Sequence, residues 1–383
     1  MPEHLKEIFN ACRLRTEEIC SPLKTEDYSV QPMVDVSPPK WHLAHSTWFF
    51  EQFVLCVFNK EYKVFSDDFA YLFNSYYNNV GKRVLRPNRG NMTRPVVEEV
   101  YDYRRYVTEQ VNLLLDQHKS EELAEVLTLG INHEQQHQEL LIYDIKYILG
   151  NQPTFPTYSA DFKLEAQQMK PTFHKVEGGL YTIGHSAEGF CFDNELGAHQ
   201  VYLEPFEISN QLVTNGEYLE FIEAGGYEDF NLWHAEGWDF IQNNSIKSPL
   251  YWHQENGKWS TYDMTGFRPL ELNVPVSHIS MYEAYAFAEW KGMRLPTEFE
   301  WEVASNLFEW GQLWEWTNSA YLPYPKFSKA PGAIGEYNGK FMINQMVLRG
   351  ASIATAKDHS RHTYRNFFPA SMRWLFNGIR LAK

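Results

Sequence analysis

Residues 121–149, EELAEVLTLGINHEQQHQELLIYDIKYIL, carry apolar side chains at alternating three- and four-residue spacing, the signature of an amphipathic helix. Gly150 follows as a natural C′ residue, and Pro153 and Pro156 lie just beyond it, where the helix has to stop. Inside this helix His133 and His137 stand four apart in HEQQHQE. That spacing puts both imidazoles on one face, about one turn apart, where a single ion can reach them. HEQQH also matches the zinc-protease pattern, with Glu134 as the base. The match is short, however, and a helical bundle is a different setting from a protease helix.

Working outward, segments 3–20, 42–59 and 99–117 have the same helical period, so residues 1–150 are expected to form a four-helix bundle. Residues 60–98, rich in Tyr, Asn and Arg, have no clean period and are expected to form a long connection packed over it. In WHLAHSTWFFEQF (41–53) His45 sits among apolar residues, an expensive place for an imidazole without a partner. Metal sites in bundles are built from side chains on facing helices, so His45, His133 and His137 form a sensible three-ligand set. His42, three residues earlier, could serve in place of His45. Three neutral histidines leave positions open on the ion. Such a site suits either a zinc hydrolase or a ferrous centre that gathers O2 and substrates, and the ligands alone do not decide.

After residue 150 the pattern changes. Residues 151–175 read as a linker. Residues 176–383 read as short strands and turns (VEGGLYTIG, HQVYLEPFEIS, GWDF, YWHQ, GKWST), with helical pieces only near 214–224 and 281–291. The expected fold class is α+β in two domains, the second irregular and held by aromatic residues. Aromatics make up 16% of the 383 residues, with 12 Trp, enough to pin many loops or to line a pocket.

A formal net charge of −15 argues against nucleic acid and anionic membrane as partners. No apolar run is long enough to span a bilayer, and the amphipathic start MPEHLKEIFNACRLRTEE lacks the apolar core of a signal peptide. The four cysteines (Cys12, Cys20, Cys56, Cys191) are scattered, which argues for a reducing, cytoplasmic setting and against structural zinc on sulfur.

The pairing of LAH (43–45) with HEQQHQE resembles the DinB-type bundle of the ergothioneine-biosynthetic sulfoxide synthases. The later half resembles the C-type-lectin-like fold of formylglycine-generating enzymes, through GMRLPTEFEWEVAS (292–305), GQLWEWTNSAY (311–321), VLRGAS (347–352) and FNGIRLA (376–382). Formylglycine-generating enzymes use a cysteine pair in this fold. Here the stretch after VLRGAS, through His362, holds no cysteine and Cys191 stands alone, which argues against copper–thiolate chemistry. The resemblance implies an Fe(II) enzyme with O2 as co-substrate. Its members join the sulfur of a thiol amino acid to C2 of the imidazole of hercynine (Nα-trimethylhistidine), leaving a sulfoxide, with the second domain completing the active site.

Residue by residue, the resemblance makes His45, His133 and His137 the metal ligands and Gln136 the residue that orients the substrate imidazole. Asn366 in YRNFFP matches an asparagine near the hercynine ammonium, and Phe367 stands where mycobacterial-type members have a tryptophan. Phe368 replaces an aspartate that holds the amine of γ-glutamylcysteine. Phenylalanine cannot form that ion pair, so L-cysteine is the expected donor. Arg86 and Arg89 in RPNRG are candidates for the substrate carboxylate. For the catalytic acid the candidates are Tyr76 and Tyr77 in NSYYNNVG, as in the cysteine-using branch. Their rival is Tyr324 in LPYPKF, where the mycobacterial-type branch has a second tyrosine three residues on and this chain has Phe327. The open alternatives are an ovothiol- or selenoneine-type synthase, a zinc-dependent DinB-type thiol transferase or hydrolase, and a non-enzymatic lectin-like binder.

Overall fold

The computed structural model describes residues 2–75, 77, 81–167, 170–186, 188–329 and 338–383. The chain divides into two compact units. Among the described residues the first comprises those up to Ser159 with Ala354–His359, and the second those from Ala160 onward apart from that short return. The first unit thus extends nine residues past the helical boundary at 150 and takes in a distant segment.

The first unit is built on helices α1 (Pro2–Cys20), α2 (Pro39–Phe50), α3 (Val97–Gln117) and α4 (Glu121–Gly150). Ser120 caps α4 by accepting from the Leu123 amide at 3.2 Å, with Glu121 and Glu122 in the first turn complementing the helix dipole. At the other end Gly150 is still helical and Asn151 is the cap, so the glycine was not needed as a left-handed stop. Helix α2 opens at Pro39, whose missing amide costs nothing at a first-turn position, and every residue to Phe50 is buried. It passes into a π-helical turn, Glu51–Leu55, which breaks the regular helix expected over 42–59. Buried Glu51 there accepts from the hydroxyls of Tyr62 (2.6 Å) and Tyr103 (2.7 Å) and the Phe65 amide (3.1 Å), pinning the start of the 60–98 connection.

Two features fix how α2 meets α4. A Cβ on Gly130 would lie 2.6 Å from Phe50 Cε1, so the close approach depends on having glycine there. Buried Glu134 is the knot of the bundle. It accepts from Arg13 (2.9 Å) and Thr16 (2.6 Å) of α1 and from Arg104 (3.0 Å) of α3, while Arg13 and Arg104 also reach Thr47 of α2. The returning segment 354–359 lies on α4: Thr355 Oγ1 donates to Glu139 Oε1 (3.0 Å), and His359 Nδ1 is within 3.2 Å of Asn132 and 3.1 Å of Gln135.

Among the described residues the second unit mixes four short sheets with helices. Strands β1 (Phe173–Val176) and β4 (Phe206–Ser209) pair antiparallel, as do β2 (Gly179–Ile183) and β3 (His199–Leu203). Strands β5 (Trp252–Glu255), β6 (Lys258–Asp263) and β7 (Gly266–Pro269) form a meander. The fourth sheet has the order β10-β9-β8-β11, from β8 (Trp314–Ala320), β9 (Met346–Gly350), β10 (Asn366–Phe368) and β11 (Asn377–Gly378). Helices α5 (Asn215–Glu223) and α7 (Met281–Trp290) lie where the pattern predicts. Helices α6 (Ala235–Asn243) and α8 (Glu298–Ala304) are additions. GWDF reads as strand text, yet it forms the middle of α6, and TEFEWEVA is too short for helical period to stand out. In α8, Thr297 and Glu300 form a reciprocal capping box, with Thr297 Oγ1 accepting from the Glu300 amide at 3.2 Å.

Candidate metal centre

His45 on α2 and His133 and His137 on α4 bring three ring nitrogens within 4.8 Å of one another. Aromatic side chains wall the cluster. Trp41 stacks on His45 (4.4 Å between centroids, 13° between planes) and Phe49 on His133 (4.6 Å, 27°), with Trp48 on the other flank of His45 (5.5 Å). The rings are buried, and His137 is the one partly open to solvent.

This enclosure keeps the imidazoles neutral. Burial pushes the pKa of His133 down to about 4. Burial lowers His45 and His137 well below the ordinary range, and each is lowered further by its histidine neighbours. Neutral imidazole is the form that binds metal. The unused nitrogens are also arranged. His45 Nδ1 lies 2.6 Å from the Phe73 carbonyl, so it donates there and leaves Nε2 for a ligand bond. Among the described residues His133 Nδ1 is buried without a hydrogen-bond partner. Three neutral nitrogen donors walled by aromatic rings fit a divalent transition ion.

His42 does not take the place of His45. Its Nε2 lies 2.8 Å from Asp144 Oδ2 and its Nδ1 3.0 Å from His137 Nδ1, one step behind the cluster. Nor is Glu134 available as a hydrolytic base. Burial alone would raise its pKa, but Arg13 and Arg104 outweigh burial and hold the carboxyl below its ordinary value. Both its oxygens are engaged by α1 and α3.

The chain matches two family models in the order expected, the DinB superfamily over residues 8–141 and the sulfatase-modifying factor enzyme 1-like domain over residues 158–307. It is 30% identical to the hercynine oxygenase of Mycobacterium tuberculosis over 309 residues, covering 67% of this chain and 71% of that one. The chain belongs to the hercynine oxygenase family. A second member, from Mycolicibacterium smegmatis, is 28% identical over 377 residues, 77% of this chain and 85% of the relative. A formylglycine-generating enzyme of Streptomyces coelicolor matches at 32% over 158 residues, 37% of this chain and 49% of that one. The chain is therefore an α+β, two-domain hercynine-oxygenase-type oxidoreductase, a DinB bundle fused to a formylglycine-generating-enzyme-like domain. Among the described residues no helix is long and apolar enough to cross a membrane.

Within this family frame the other candidates separate. The Arg89 guanidinium lies 3.4 Å over the Trp41 ring, which is itself stacked on His45, and donates to the hydroxyls of Ser37 (2.9 Å) and Ser75 (3.3 Å). Arg86 turns away to Asp35, donating to its carbonyl at 2.6 Å. Tyr77 is buried against Phe53 (5.3 Å) and Trp48 (5.4 Å), on the aromatic wall of the cluster. Tyr76 lies outside the described residues. Gln136 sits on α4 between the paired histidines, partly exposed.

In the second unit the Tyr324 hydroxyl accepts from Arg349 (2.8 Å), lies 3.2 Å from Glu298, and has the Arg365 guanidinium 3.8 Å over its ring. Burial raises its pKa. Asn366 folds its side chain back to accept from the Phe367 amide at 2.9 Å. Phe367 stacks on Tyr321 at 4.1 Å, and Phe368 packs edge-on against Trp374 at 5.5 Å. Sequence reasoning missed the roles of His42 and Asp144 and the stacking of Arg89 on Trp41. The signal was present in the periodicity: Trp41, His42 and His45 share one face of α2, and Asp144 lies two turns beyond His137 on α4.

Proposed function

We propose that this chain binds one Fe(II) on His45, His133 and His137 and, with O2 as co-substrate, joins the sulfur of L-cysteine to C2 of the hercynine imidazole, giving a sulfoxide. The observation that carries this reading is the convergence of three neutral imidazoles from two helices inside an aromatic pocket. Iron there would supply a Lewis-acidic, redox-active centre with positions open to a soft thiolate, to the substrate imidazole and to O2. Held beside His45, His133 and His137 by such an ion, both organic partners would lose much of the barrier through positioning.

The chain's own residues then divide the work. Arg89, held against Trp41, is the better placed of the two arginines to fork onto a substrate carboxylate beside the cluster, since Arg86 is paired with Asp35. Gln136 is assigned to the substrate imidazole, and Asn366 and Phe367 to its trimethylammonium end. The Tyr77 phenol, with Tyr76 as its neighbour in sequence, is assigned to deliver the proton. Tyr324 is the weaker choice because its hydroxyl already serves Arg349 and Glu298. Phe368 against Trp374 supports cysteine as donor, because neither ring can pair with an ammonium through a carboxylate. The zinc-hydrolase reading lacks its base, Glu134 being locked between two arginines.

Donor choice is tested by mass spectrometry of aerobic reactions containing Fe(II)-loaded protein, hercynine and either cysteine or γ-glutamylcysteine. The expected product is hercynylcysteine sulfoxide from cysteine, and γ-glutamylcysteine proving the much better donor would overturn that part. Tyr77→Phe is expected to keep its metal while slowing sulfoxide formation by about 10²-fold, the usual scale of a positioned acid, or diverting it to oxidation of the thiol alone. Full sulfoxide formation in both Tyr76→Phe and Tyr77→Phe would move the role to Tyr324.

A further inference from the structure

Asp144, His42 and His137 form a chain of contacts whose end is a candidate metal ligand. Asp144 Oδ2 accepts from the Ser37 amide at 2.8 Å and lies 2.8 Å from His42 Nε2. His42 Nδ1 lies 3.0 Å from His137 Nδ1. All three residues sit in the bundle, His42 on α2 and the other two on α4, and His42 and Asp144 are both buried. A carboxylate only accepts, so the His42 Nε2 proton points at Asp144. A neutral His42 then offers a lone pair at Nδ1, and the 3.0 Å contact requires His137 Nδ1 to carry the hydrogen. That leaves the lone pair of His137 at Nε2.

We infer that Asp144 and His42 are positioning residues that fix the tautomer and ring orientation of His137, so that it presents Nε2 to the metal. The inference rests on the reading of His137 as a ligand. The three candidate ligands are held by different means. His45 Nδ1 is held by a backbone carbonyl, whereas His137 is held by a side-chain relay backed by a negative charge, which raises its basicity as a ligand. Ser37 joins the relay to Arg89: its amide donates to Asp144 and its hydroxyl accepts from the guanidinium at 2.9 Å. The relay therefore tethers His137 and the candidate carboxylate fork to the same point of the chain.

The test reads the tautomer directly, by long-range ¹H–¹⁵N correlation of the full-length, metal-free protein labelled at histidine. His137 should be protonated on Nδ1 in the wild type; protonation on Nε2 would overturn the inference without any variant having to fold. A second arm measures Fe(II) affinity by competition with a chelator. His42→Ala should weaken affinity by about 10–100-fold and Asp144→Asn by less, the range typical of outer partners of metal ligands. Asp144→Asn should add nothing once His42 is alanine, because the relay is already cut. His42→Gln, which keeps one donor and one acceptor, should recover most of the loss. Independent, additive losses, or unchanged affinity in His42→Ala, would contradict the relay. Wild-type protein that shows the Nδ1–H tautomer yet makes no sulfoxide with Fe(II) would count against the proposed reaction and not against the relay.

Discussion

In the helical half, His45, His133 and His137 bring three neutral imidazoles together against aromatic rings, with His133 Nδ1 buried and unpartnered among the described residues. In the C-terminal half, Arg349 and Arg365 share Glu298 at 3.1 and 2.8 Å, Arg349 also holds Glu302 at 2.8 Å, and Arg380 clamps Glu315 at 2.6 and 2.7 Å. Both clusters are deeply buried, but in the second each named charge is met by an opposite charge. Removing one member of such a network leaves a buried charge uncompensated. The histidine cluster has no such opposite charge among its three members, and its ring nitrogens lie within 4.8 Å of one another. On the proposed function, the first cluster is assigned the chemistry and the second the maintenance of the fold.

The sharpest way to break this contrast is to remove one member of each cluster. His137→Ala should abolish tight metal uptake and turnover together, a loss larger than the roughly 10–100-fold expected for an outer partner, while thermal stability of the metal-free protein holds or rises. Iron content by elemental analysis and product by mass spectrometry check this. Glu298→Ala should do the opposite. Losing the carboxylate shared by Arg349 and Arg365 should destabilise the fold by about 3–5 kcal/mol in denaturant unfolding, without altering the metal affinity of molecules that remain folded. Equal loss of metal affinity in both variants would erase the distinction.

Two smaller effects sharpen it. Gly130→Ala places a Cβ where 2.6 Å separates it from the Phe50 ring, so α2 and α4 must part. A loss of about 1–3 kcal/mol is expected, the usual cost of overpacking, together with weaker Fe(II) binding because His45 moves away from His133 and His137. Unchanged affinity would show that the cluster tolerates helix separation. The last effect is on pH. The His133 ring is pushed down to about 4 by burial, whereas an unfolded histidine titrates near 6.5. Between those values the unfolded chain holds the extra proton. Stability of the metal-free protein should therefore fall as pH drops from about 6.5 towards 4, by about 1.4 kcal/mol per pH unit for each such histidine. A flat unfolding midpoint over that range would contradict the burial of neutral rings.

Much of the first half was legible because long helices repeat their signal. Four amphipathic stretches and an i, i+4 histidine pair are local patterns, and α1, α3 and α4 lie within a few residues of where periodicity puts them. The π-helical turn at Glu51–Leu55 was not legible, since it depends on Tyr62, Tyr103 and Phe65 gathering on Glu51. Helices α6 and α8 were missed for a related reason. Both are short and aromatic-rich; α8 is fixed by its Thr297–Glu300 capping box, whereas α6 starts after His234 without a side-chain cap. The motifs that carried the family resemblance in the second half contain Glu298, Glu302, Glu315, Arg349 and Arg380. The structure makes these a buried framework, so the same letters announce the fold while saying little about substrate. His42 marks the limit of the periodicity, which puts it on the same face of α2 as His45 without separating the two. Only the side-chain geometry separates a ligand from the residue behind it.

The central claim is that three histidines make this bundle an iron site for O2-dependent C–S bond formation. It is tested most directly by loading metal-free protein with Fe(II) or Zn(II) in parallel, adding hercynine and L-cysteine, and following sulfoxide by mass spectrometry with and without O2. The account predicts hercynylcysteine sulfoxide only with Fe(II) and O2 together, and none from His45→Ala, His133→Ala or His137→Ala. Sulfoxide formed equally well by the zinc-loaded protein, or by protein lacking these histidines, would contradict it.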